Sequence, residues 1–592
     1  MKRCFLLSLL LLSCLALRAQ LQPHPRLLMT ETPRPAATWY AQKADSMITA
    51  FSREVLSQPP VKRELLGRRL LGVSREAFKR IFWLSYTWRA HGGEAYARRA
   101  IEEMIAASRF QDWNPSHFLD VGEMTMALAI GYDWLYTAMT PEERQEVARA
   151  IVEKGLKPAL NASDAWFYTT DINWNSVCNA GMVFGALAVW EEDPAFCREM
   201  LEKSVASKEL AYKAYSADGG FPEGYNYWGY GTSFQILLEA ALATACPQML
   251  QPLPQGFLES ARFMQFMSTP AGRCFSFSDC YFSANFQFMQ AWMALKTGNP
   301  SLLFPELKLF EMGRKPAEER LLPFFLLTLQ QASRQEIPVP EGHTYHCGGT
   351  TPVYIYREGW EDPGDDYLGI KGGLAQSSHS HLDQGSFYFE SEGIAWATDL
   401  GMQNYNSLES IGLEIWDMTQ ESDRWEVFRI GPWSHNILTV NGHAPKVYHP
   451  AGFSGFFDDA RKGAVLDLSP LYDEDLASYK REVYLEDGSL HVLDCLEAGD
   501  HPCHVRWALC TEASVLVQDC TLLLESGERR RILKAGPGNE VVLEAGVWST
   551  AFPGEHLHEW DEPNPDRALA GFTFSLEAGQ TRQVHIVLER LR

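Results

Sequence analysis

The sequence is poor in positive charge. Its 592 residues contain 52 Lys and Arg against 75 Asp and Glu, which gives a formal net charge of -23 at pH 7. A nucleic-acid partner requires a basic surface, and this composition offers none on the scale of the whole chain. A polyanionic substrate is not excluded, because a cleft can be locally basic on an acidic protein.

Long apolar runs are absent beyond the N-terminus. No later segment offers about 18 uninterrupted apolar residues, so we expect no transmembrane helix. Residues 1–19 are predicted to be a secretory signal peptide, with two basic residues before an apolar run at 5–17. The mature protein is then periplasmic or secreted. An alternative is an outer-membrane lipoprotein, because residues 11–14 resemble a lipid-attachment box.

The cysteines do not have the spacing of a zinc ribbon. Twelve are present, of which ten follow residue 19. In an exported protein pairs of them can oxidise. The candidates for pairing are Cys274 with Cys280, and the group Cys495, Cys503, Cys510 and Cys520. Buried free thiols are an equally good interpretation.

The chain is long enough for two or three domains. From about residue 35 to residue 335 apolar side chains recur at helical spacing without a fixed short repeat, which favours an (α/α) toroid or solenoid over a small bundle. Beyond residue 337, short alternating segments between Gly, Asp and Asn turns predict a β-sandwich. We therefore predict an α+β multidomain protein, with a signal peptide at 1–19, a toroid at 20–336 and an antiparallel β-sandwich at 337–592.

Three histidines and two aspartates form the most informative cluster. They are His379, His381, Asp383, Asp399 and His435. Two imidazole nitrogens and one carboxylate are a suitable zinc set with an open fourth position. If His381, Asp399 and His435 hold the metal, His379 is left for chemistry. The alternative is that each is a separate, satisfied polar residue at the end of a strand.

Polar side chains also mark the starts of two predicted helices. Asn173, Asn175 and Asn179 lie where free backbone N–H groups and the helix dipole favour an anion. A helix cap is the commoner role for asparagine, but it does not by itself explain three of them. At another helix start, we expect Asp120 to be structural and His117 to line a cleft.

Aromatic residues cluster between Phe221 and Gly231. The segment contains Glu223, Tyr225, Tyr227, Trp228 and Tyr230. Aromatic rings beside glycines and polar groups are typical of sugar-binding surfaces, and a phenol can donate a proton. Tyr227 and Tyr230 are three residues apart and would share a helix face. The alternative is that these rings pack in the core.

Several segments together resemble the heparinase II/III-like polysaccharide lyases. They are residues 24–28, 113–136, 173–181 and 222–231, the Ser378-His379-Ser380-His381-Leu382-Asp383 motif, Asp399-Leu400-Gly401 and Ser434-His435-Asn436. The resemblance implies an incomplete (α/α) toroid followed by an antiparallel β-sandwich, with an acidic polysaccharide or oligosaccharide bound in the cleft between them. It also implies β-elimination of a uronic-acid polymer and a structural zinc held by His381, Asp399 and His435.

The resemblance assigns roles to further residues. His379 matches a catalytic histidine, and Tyr230 or Tyr227 matches the catalytic tyrosine. Asn175 matches an Asn or His that contacts the uronate carboxylate. We expect other substrate contacts from Asn173, Asn179, His117, Glu223, Tyr225 and Trp228.

The chemistry of β-elimination agrees with these residue types. The C5 proton of a uronate is weakly acidic, so hydrogen bonds to the carboxylate must stabilise the developing enolate-like charge. Asn175 and His379 are suited to this role. A tyrosine or histidine then abstracts the proton, and a tyrosine hydroxyl such as that of Tyr230 protonates the departing O4.

Two other functions are consistent with the sequence. An (α/α)-toroid glycoside hydrolase needs two carboxylates flanking the scissile bond. Glu223 with Asp218, or Asp279, are candidates for that pair. A non-catalytic carbohydrate-binding protein would keep the fold and bind sugar without turnover.

Overall fold

The computed structural model describes residues 21–316, 319–331 and 336–591. The predicted signal peptide lies outside these residues. The described residues form two compact units. The described residues of one unit fall within Met1–Ala211, Gly231–Pro252 and Lys315–Arg334, and those of the other fall within Tyr212–Tyr230, Leu253–Arg314 and Gln335–Arg592.

Helices occupy the chain up to residue 329. They are α1 (Trp39–Val55), α2 (Leu71–His91), α3 (Glu94–Ser108), α4 (Phe118–Trp134), α5 (Pro141–Ala150), α6 (Asn173–Ala188), α7 (Pro194–Ser207), α8 (Gly224–Ala245), α9 (Gln255–Met267), α10 (Gln290–Thr297), α11 (Phe304–Glu311) and α12 (Leu322–Leu329), with a short α13 (Tyr405–Glu409) among the later strands. None of the described helices combines the length and apolar character needed to cross a bilayer.

Sequence features explain how individual helices begin and pack. Helix α5 starts with a capping box, in which Thr140 and Glu143 each accept a hydrogen bond from the other's backbone N–H. Helices α4 and α6 approach closely at two glycines, since a Cβ on Gly181 would lie 2.5 Å from the Gly122 carbonyl oxygen. A larger side chain at Gly181 would force these helices apart.

The strands form three antiparallel sheets. They are β1 (Thr344–Cys347), β2 (Val353–Arg357), β3 (Tyr367–Lys371), β4 (Phe387–Ser391), β5 (Ile394–Ala397), β6 (Leu438–Val440), β7 (Gly452–Asp458), β8 (Lys462–Asp467), β9 (Leu476–Glu486), β10 (Ser489–Ala498), β11 (Cys503–Thr511), β12 (Ser514–Gln518), β13 (Thr521–Ser526), β14 (Arg529–Ala535), β15 (Glu544–Trp548), β16 (Ala568–Leu576) and β17 (Thr581–Arg590). The sheet orders are β1-β2-β3-β4-β5, β12-β13-β14-β17-β10-β9-β8-β7 and β15-β16-β11-β6.

One apolar core joins all three sheets. It contains, for example, Phe389 from the first sheet, Val492 from the second and Trp507 from the third. The change from helices to strands falls between Leu329 and Thr344, close to the expected position. The domain limits at 336 and 337 stay a prediction, because helices α9, α10 and α11 belong to the compact unit that contains the sheets.

A buried ion pair links this core to the histidine-bearing loops. Arg481 on β9 donates to both carboxylate oxygens of Asp494 on β10, at 2.7 and 3.0 Å. Its remaining Nη1 donates to the carbonyls of Gly385 and Asn436, at 3.0 and 2.9 Å. Arg481 and Asp494 expose no surface. One side chain therefore anchors the segments that follow two of the predicted metal ligands.

We expect Asp494→Ala to lower the free energy of unfolding by about 3 kcal/mol or more, because it leaves Arg481 buried and unpaired. Urea denaturation measures this loss. The matched control is Lys480→Ala, at an exposed residue next to Arg481 on β9, which should change stability by less than about 0.5 kcal/mol. A loss below about 1 kcal/mol for Asp494→Ala would contradict the anchoring role.

Candidate functional site

The histidine motif lies in the connection between β3 and β4. His379 has a backbone φ of 61°, in the left-handed region that few non-glycine residues adopt. Its carbonyl accepts a hydrogen bond from the N–H of Asp279 at 3.0 Å, and the N–H of Leu382 donates to the Ile430 carbonyl at 2.9 Å. These backbone bonds hold the loop in place, and His379 and His381 are both buried within it.

The carboxylate of Asp279 lies at the centre of this cluster. Its Oδ2 bonds to Nδ1 of His379 at 2.9 Å and accepts from the hydroxyl of Tyr405 at 2.7 Å. Its Oδ1 is 3.0 Å from Nε2 of His381. Arg424 donates to both oxygens at 3.1 Å. Asp279, Arg424 and His381 expose no surface, so one carboxylate organises both histidines of the motif.

The surroundings keep Asp279 ionised. Burial alone would raise the pKa of its carboxyl, but the Arg424 guanidinium and the hydrogen bonds from the two histidines outweigh burial and hold that pKa well below the ordinary value. Burial also lowers the pKa of His381, against the opposing effect of Asp279. A neutral His381 beside an ionised Asp279 carries its proton on Nε2 and keeps a lone pair on Nδ1.

The residues predicted to bind metal come together. His381, Asp399 and His435 each offer one ligand atom, and these atoms lie within 4.8 Å of one another. Nδ1 of His381 and Nε2 of His435 are buried and lack a hydrogen-bond partner among the described residues. Buried unpaired nitrogens are costly, and a cation would satisfy both. Two imidazole nitrogens and a carboxylate fit zinc.

The other nitrogen of each imidazole faces a carboxylate. Nδ1 of His435 lies 2.7 Å from Oδ2 of Asp399, while Nε2 of His381 faces Asp279. Carboxylates commonly orient metal-binding imidazoles in this way. Burial would lower the pKa of His435, but Asp399 outweighs it and raises that pKa. Asp383, the remaining carboxylate of the cluster, instead pairs with buried Lys371.

His379 is enclosed by aromatic side chains. Its ring stacks on Tyr227 with centroids 3.7 Å apart and an angle of 19° between the planes. The edge of Trp416 packs against it at 5.7 Å. The hydroxyls of Tyr227 and Tyr405 are 2.8 Å apart, and since Tyr405 donates to Asp279, it accepts from Tyr227. This arrangement fixes the plane of the imidazole and directs Nδ1 to Asp279.

Three members of the cluster were missed as site residues by sequence reasoning. Asp279 was considered only as a hydrolase carboxylate, and Tyr405 and Arg424 were not considered. A signal for Asp279 existed, because an aspartate within the aromatic segment 275–282 must find a partner if it is buried. Tyr405 and Arg424 have no comparable local signal.

Two predicted substrate contacts belong to the core. Tyr225 and Trp228 expose no surface. The Tyr225 hydroxyl donates to the Asn285 carbonyl at 2.5 Å, and Trp228 Nε1 donates to Ser260 Oγ at 3.0 Å. Both rings are buried and hydrogen-bonded within the protein, and the substrate contacts expected from them stay predictions. On the same helix, Tyr227 and Tyr230 are partly exposed.

The asparagines of α6 have unequal surroundings. Asn175 and Asn179 expose no surface, and their Nδ2 atoms donate to Ser207 Oγ at 2.9 and 3.0 Å. The buried Oδ1 atoms are hydrogen-bond acceptors, which repel a carboxylate. The bonds to Ser207 brace α6 against α7, and the substrate roles expected of Asn175 and Asn179 stay predictions. Asn173 lies beside Gly231, the residue that follows Tyr230, with 3.3 Å from its Cβ to a Cβ built on that glycine.

The remaining predicted contacts are buried. His117 Nδ1 is 2.7 Å from Asp120 Oδ1, and its ring meets Trp174 edge-on at 5.0 Å. Asp120 also accepts from the Leu70 N–H at 2.6 Å, which agrees with the expected structural role. Glu223 is buried as well. The substrate contacts expected from His117 and Glu223 stay predictions.

Comparison with known proteins finds a family match within the second half of the chain. Residues 367–560 match the family model described as "Heparinase II/III-like, C-terminal". The matched heparinase II/III-like region contains His379, His381, Asp399 and His435. No curated protein sequence matches the chain.

Solved structures share the fold over most of the chain. A heparinase III structure has a TM-score of 0.62 at 12% identity, covering 97% of this chain and 88% of that one. A heparan sulfate lyase from Pedobacter heparinus has 0.60 at 12%, covering 96% and 86%. A chondroitin AC lyase from Streptomyces coelicolor A3 has 0.52 at 11%, covering 94% and 80%. The predicted fold class, an incomplete (α/α) toroid followed by an antiparallel β-sandwich, is confirmed.

We expect Asp279→Asn to destabilise the second unit by about 3 kcal/mol, because Arg424 is left buried without a counter-charge. An asparagine cannot accept from all the donors that face Asp279. Urea denaturation measures the loss, and imidazole nitrogen NMR reports the proton positions on His379 and His381. Glu421→Gln, at an exposed position three residues before Arg424, is the control. Unchanged stability together with unchanged imidazole signals would refute the organising role of Asp279.

Proposed function

We propose that the protein is a polysaccharide lyase that cleaves a uronic-acid-containing polymer by β-elimination. The observation that carries this proposal is the His379 imidazole, which is held by ionised Asp279 and stacked on Tyr227. An oriented imidazole beside tyrosine hydroxyls provides the general acid and base that removal of a proton next to a carboxylate requires. The named activities of the fold relatives, a heparan sulfate lyase and a chondroitin AC lyase, support the same class of reaction.

Within this proposal His379 supports the charge that develops on the substrate. Asp279 takes the Nδ1 side of the ring, so Nε2 is the atom that faces a ligand. From Nε2 the ring either donates a hydrogen bond to the uronate carboxylate or accepts the C5 proton. Stabilisation of the enolate-like charge lowers the barrier most when the donor is already oriented, and the stack with Tyr227 provides that orientation.

Tyr230 is proposed as the phenol that reacts. The hydroxyl of Tyr227 already bonds to Tyr405 and its ring packs on His379, which suits a positioning role. Tyr230 lies one helical turn further along α8 and is partly exposed. We assign it protonation of the departing O4 and, with His379, removal of the C5 proton. Asn175 stays the proposed amide contact to the uronate carboxylate, and Asn173 stays a proposed substrate contact.

Zinc is proposed as a structural ion. His381, Asp399 and His435 would hold it, since their free ligand atoms converge. When bound, the ion supplies a rigid cross-link between the loop that follows β3, the end of β5 and the segment before β6. It is not required for proton transfer in this proposal, and its effect on His379 passes through His381 and Asp279.

Export is proposed on the sequence of residues 1–19 alone. Removal of a signal peptide would release the protein to the periplasm or the medium. Retention through a lipid on Cys14 would place it on the outer membrane instead. Both locations give access to an extracellular acidic polysaccharide.

The charge states of Asp279 and Asp218 disfavour these two candidates as the general acid of a hydrolase. A glycoside hydrolase needs one carboxyl with a raised pKa to act as general acid. The pKa of Asp279 is held well below its ordinary value. Burial of Asp218 is outweighed by hydrogen bonds from Ser216 and from backbone N–H groups, which lower its pKa. Neither aspartate is suited to protonate a leaving group at neutral pH.

We expect Tyr230→Phe to lower kcat on the cleaved polymer by about 100-fold or more, because general acid–base catalysis contributes about 10²–10⁴-fold. Uronic-acid polymers are screened for the ultraviolet absorbance of the unsaturated product, and substrate binding is measured separately. Binding should be retained. Tyr448→Phe, at an exposed tyrosine that is not among the site residues, is the matched control.

The outcomes of this assay separate the candidate functions. New reducing ends without the absorbance would indicate hydrolysis. Binding without any turnover by the native protein would indicate a carbohydrate-binding protein. Full activity of Tyr230→Phe would remove that residue from the mechanism.

We expect about one zinc ion per chain in the native protein and a loss of that zinc in His381→Ala. Elemental analysis measures both. Removal of the ion by a chelator should lower the melting temperature, because ligand binding to the folded state is part of its stability. His449→Ala, at an exposed histidine, should retain the metal. Native protein without metal would refute the site.

A further inference from the structure

A short folded-back segment delivers Asp279 to the two histidines. Isolated β-bridges pair Ser268 with Cys274 and Arg273 with Ser283 at its base. The segment then runs from Cys274 to Cys280, and Asp279 is the last residue before the second cysteine. The position of the central carboxylate therefore depends on the conformation of this segment.

The two cysteines of the segment lie side by side in the interior. Their Sγ atoms are 3.9 Å apart, and neither residue exposes any surface. Both thiols point to the same acceptor, the Tyr281 carbonyl oxygen, at 3.0 Å from Cys274 and 3.3 Å from Cys280. A disulfide has an S–S distance of about 2.05 Å. Closing the 3.9 Å gap between the sulfurs gives up only weak S–H hydrogen bonds to the Tyr281 and Phe282 carbonyls.

The backbone between the cysteines adopts an uncommon conformation. Ser278 has a φ of 58° in the left-handed region, which is unfavourable for residues other than glycine. The N–H of Cys280 bonds back to the Ser278 carbonyl at 2.6 Å. The N–H of Asp279, between them, bonds to the His379 carbonyl. A conformation of this kind persists only where other constraints hold it, and a covalent link across the segment is such a constraint.

We propose that Cys274 and Cys280 form a disulfide that closes this segment and holds Asp279 in position. The oxidant is a low-molecular-weight or protein disulfide. One cysteine thiolate attacks it to give a mixed disulfide and releases one thiol. The second cysteine thiolate then attacks the first cysteine's sulfur in the mixed disulfide, which forms the S–S bond between the two cysteines and releases the other thiol of the oxidant. The two cysteines lose two electrons and two protons in total, and the oxidant's S–S bond is reduced to two thiols.

The link forms before the segment is buried. Burial raises the pKa of the Cys274 thiol well above its ordinary value, and only the thiolate reacts. Oxidation therefore belongs to the folding of an exported chain, after which the same burial protects the bond from reduction. The stabilisation acts on the unfolded state by removing loop entropy, independently of the proposed reaction.

Mass spectrometry tests the link directly. The full chain is produced by export into an oxidising compartment and, separately, unfolded, reduced and refolded with oxidised and reduced glutathione. Thiols are then blocked with N-ethylmaleimide under denaturing conditions before digestion with trypsin. Cleavage after Arg273 and Lys296 releases one peptide that contains both cysteines. We expect this peptide without adduct and lighter by two hydrogens, and with two adducts after prior reduction.

Hydrogen exchange adds a readout on Asp279. We expect faster exchange in peptides that cover 274–282 for the Cys274→Ser, Cys280→Ser double variant and for reduced protein. Cys197→Ser removes an equally buried thiol on α7 and should leave exchange in this segment unchanged. Exposed Cys495 and Cys520 should carry the adduct and confirm that labelling is complete. Two adducts on the 274–296 peptide from both preparations would overturn the proposal.

Discussion

The site depends on one buried charge and its compensation. Asp279 is an ionised carboxylate without solvent contact, and the Arg424 guanidinium supplies the opposite charge. An isolated buried carboxylate would become protonated. Because Arg424 keeps it ionised, Asp279 can accept hydrogen bonds from His379, His381 and Tyr405 at once. Removing either charge would release both histidines together.

Asp279 also orients the two histidines of the motif for different roles. His379 and His381 are one residue apart and meet opposite oxygens of the same carboxylate. His381 is thereby directed to the metal set with Asp399 and His435. His379 is directed to Tyr227, on a helix that begins far away in the sequence. Asp279 bonds both to His381, a proposed ligand of the structural ion, and to His379, the proposed reacting imidazole. A change in the position of either histidine can therefore alter the other through this one carboxylate.

The frame around this cluster is a large sandwich core tied to the loops by polar contacts. The ion pair with Asp494 compensates the charge of Arg481 within the core. Its Nη1 donates hydrogen bonds to backbone carbonyls in the segments after His381 and His435. Fold relatives keep this architecture at about one residue in eight identical. Such low identity is consistent with a fold specified by apolar patterning, which many sequences satisfy, and with chemistry that resides in a few polar residues.

The sequence by itself determined the order of helical and strand regions, because apolar periodicity reports which face of each element is buried. It also predicted which residues would come together as candidate metal ligands, since His381, Asp399 and His435 lie in motifs that resemble a known family. Only the tertiary structure decided that Asn175, Tyr225 and Trp228 are internal, because the local pattern of a core residue and a cleft residue is the same. Only the tertiary structure brought in Asp279, which is 100 positions from His379 and 145 from Arg424. Spacing along a chain does not encode which distant segments meet, and a buried carboxylate acquires its role from the partners that folding places around it.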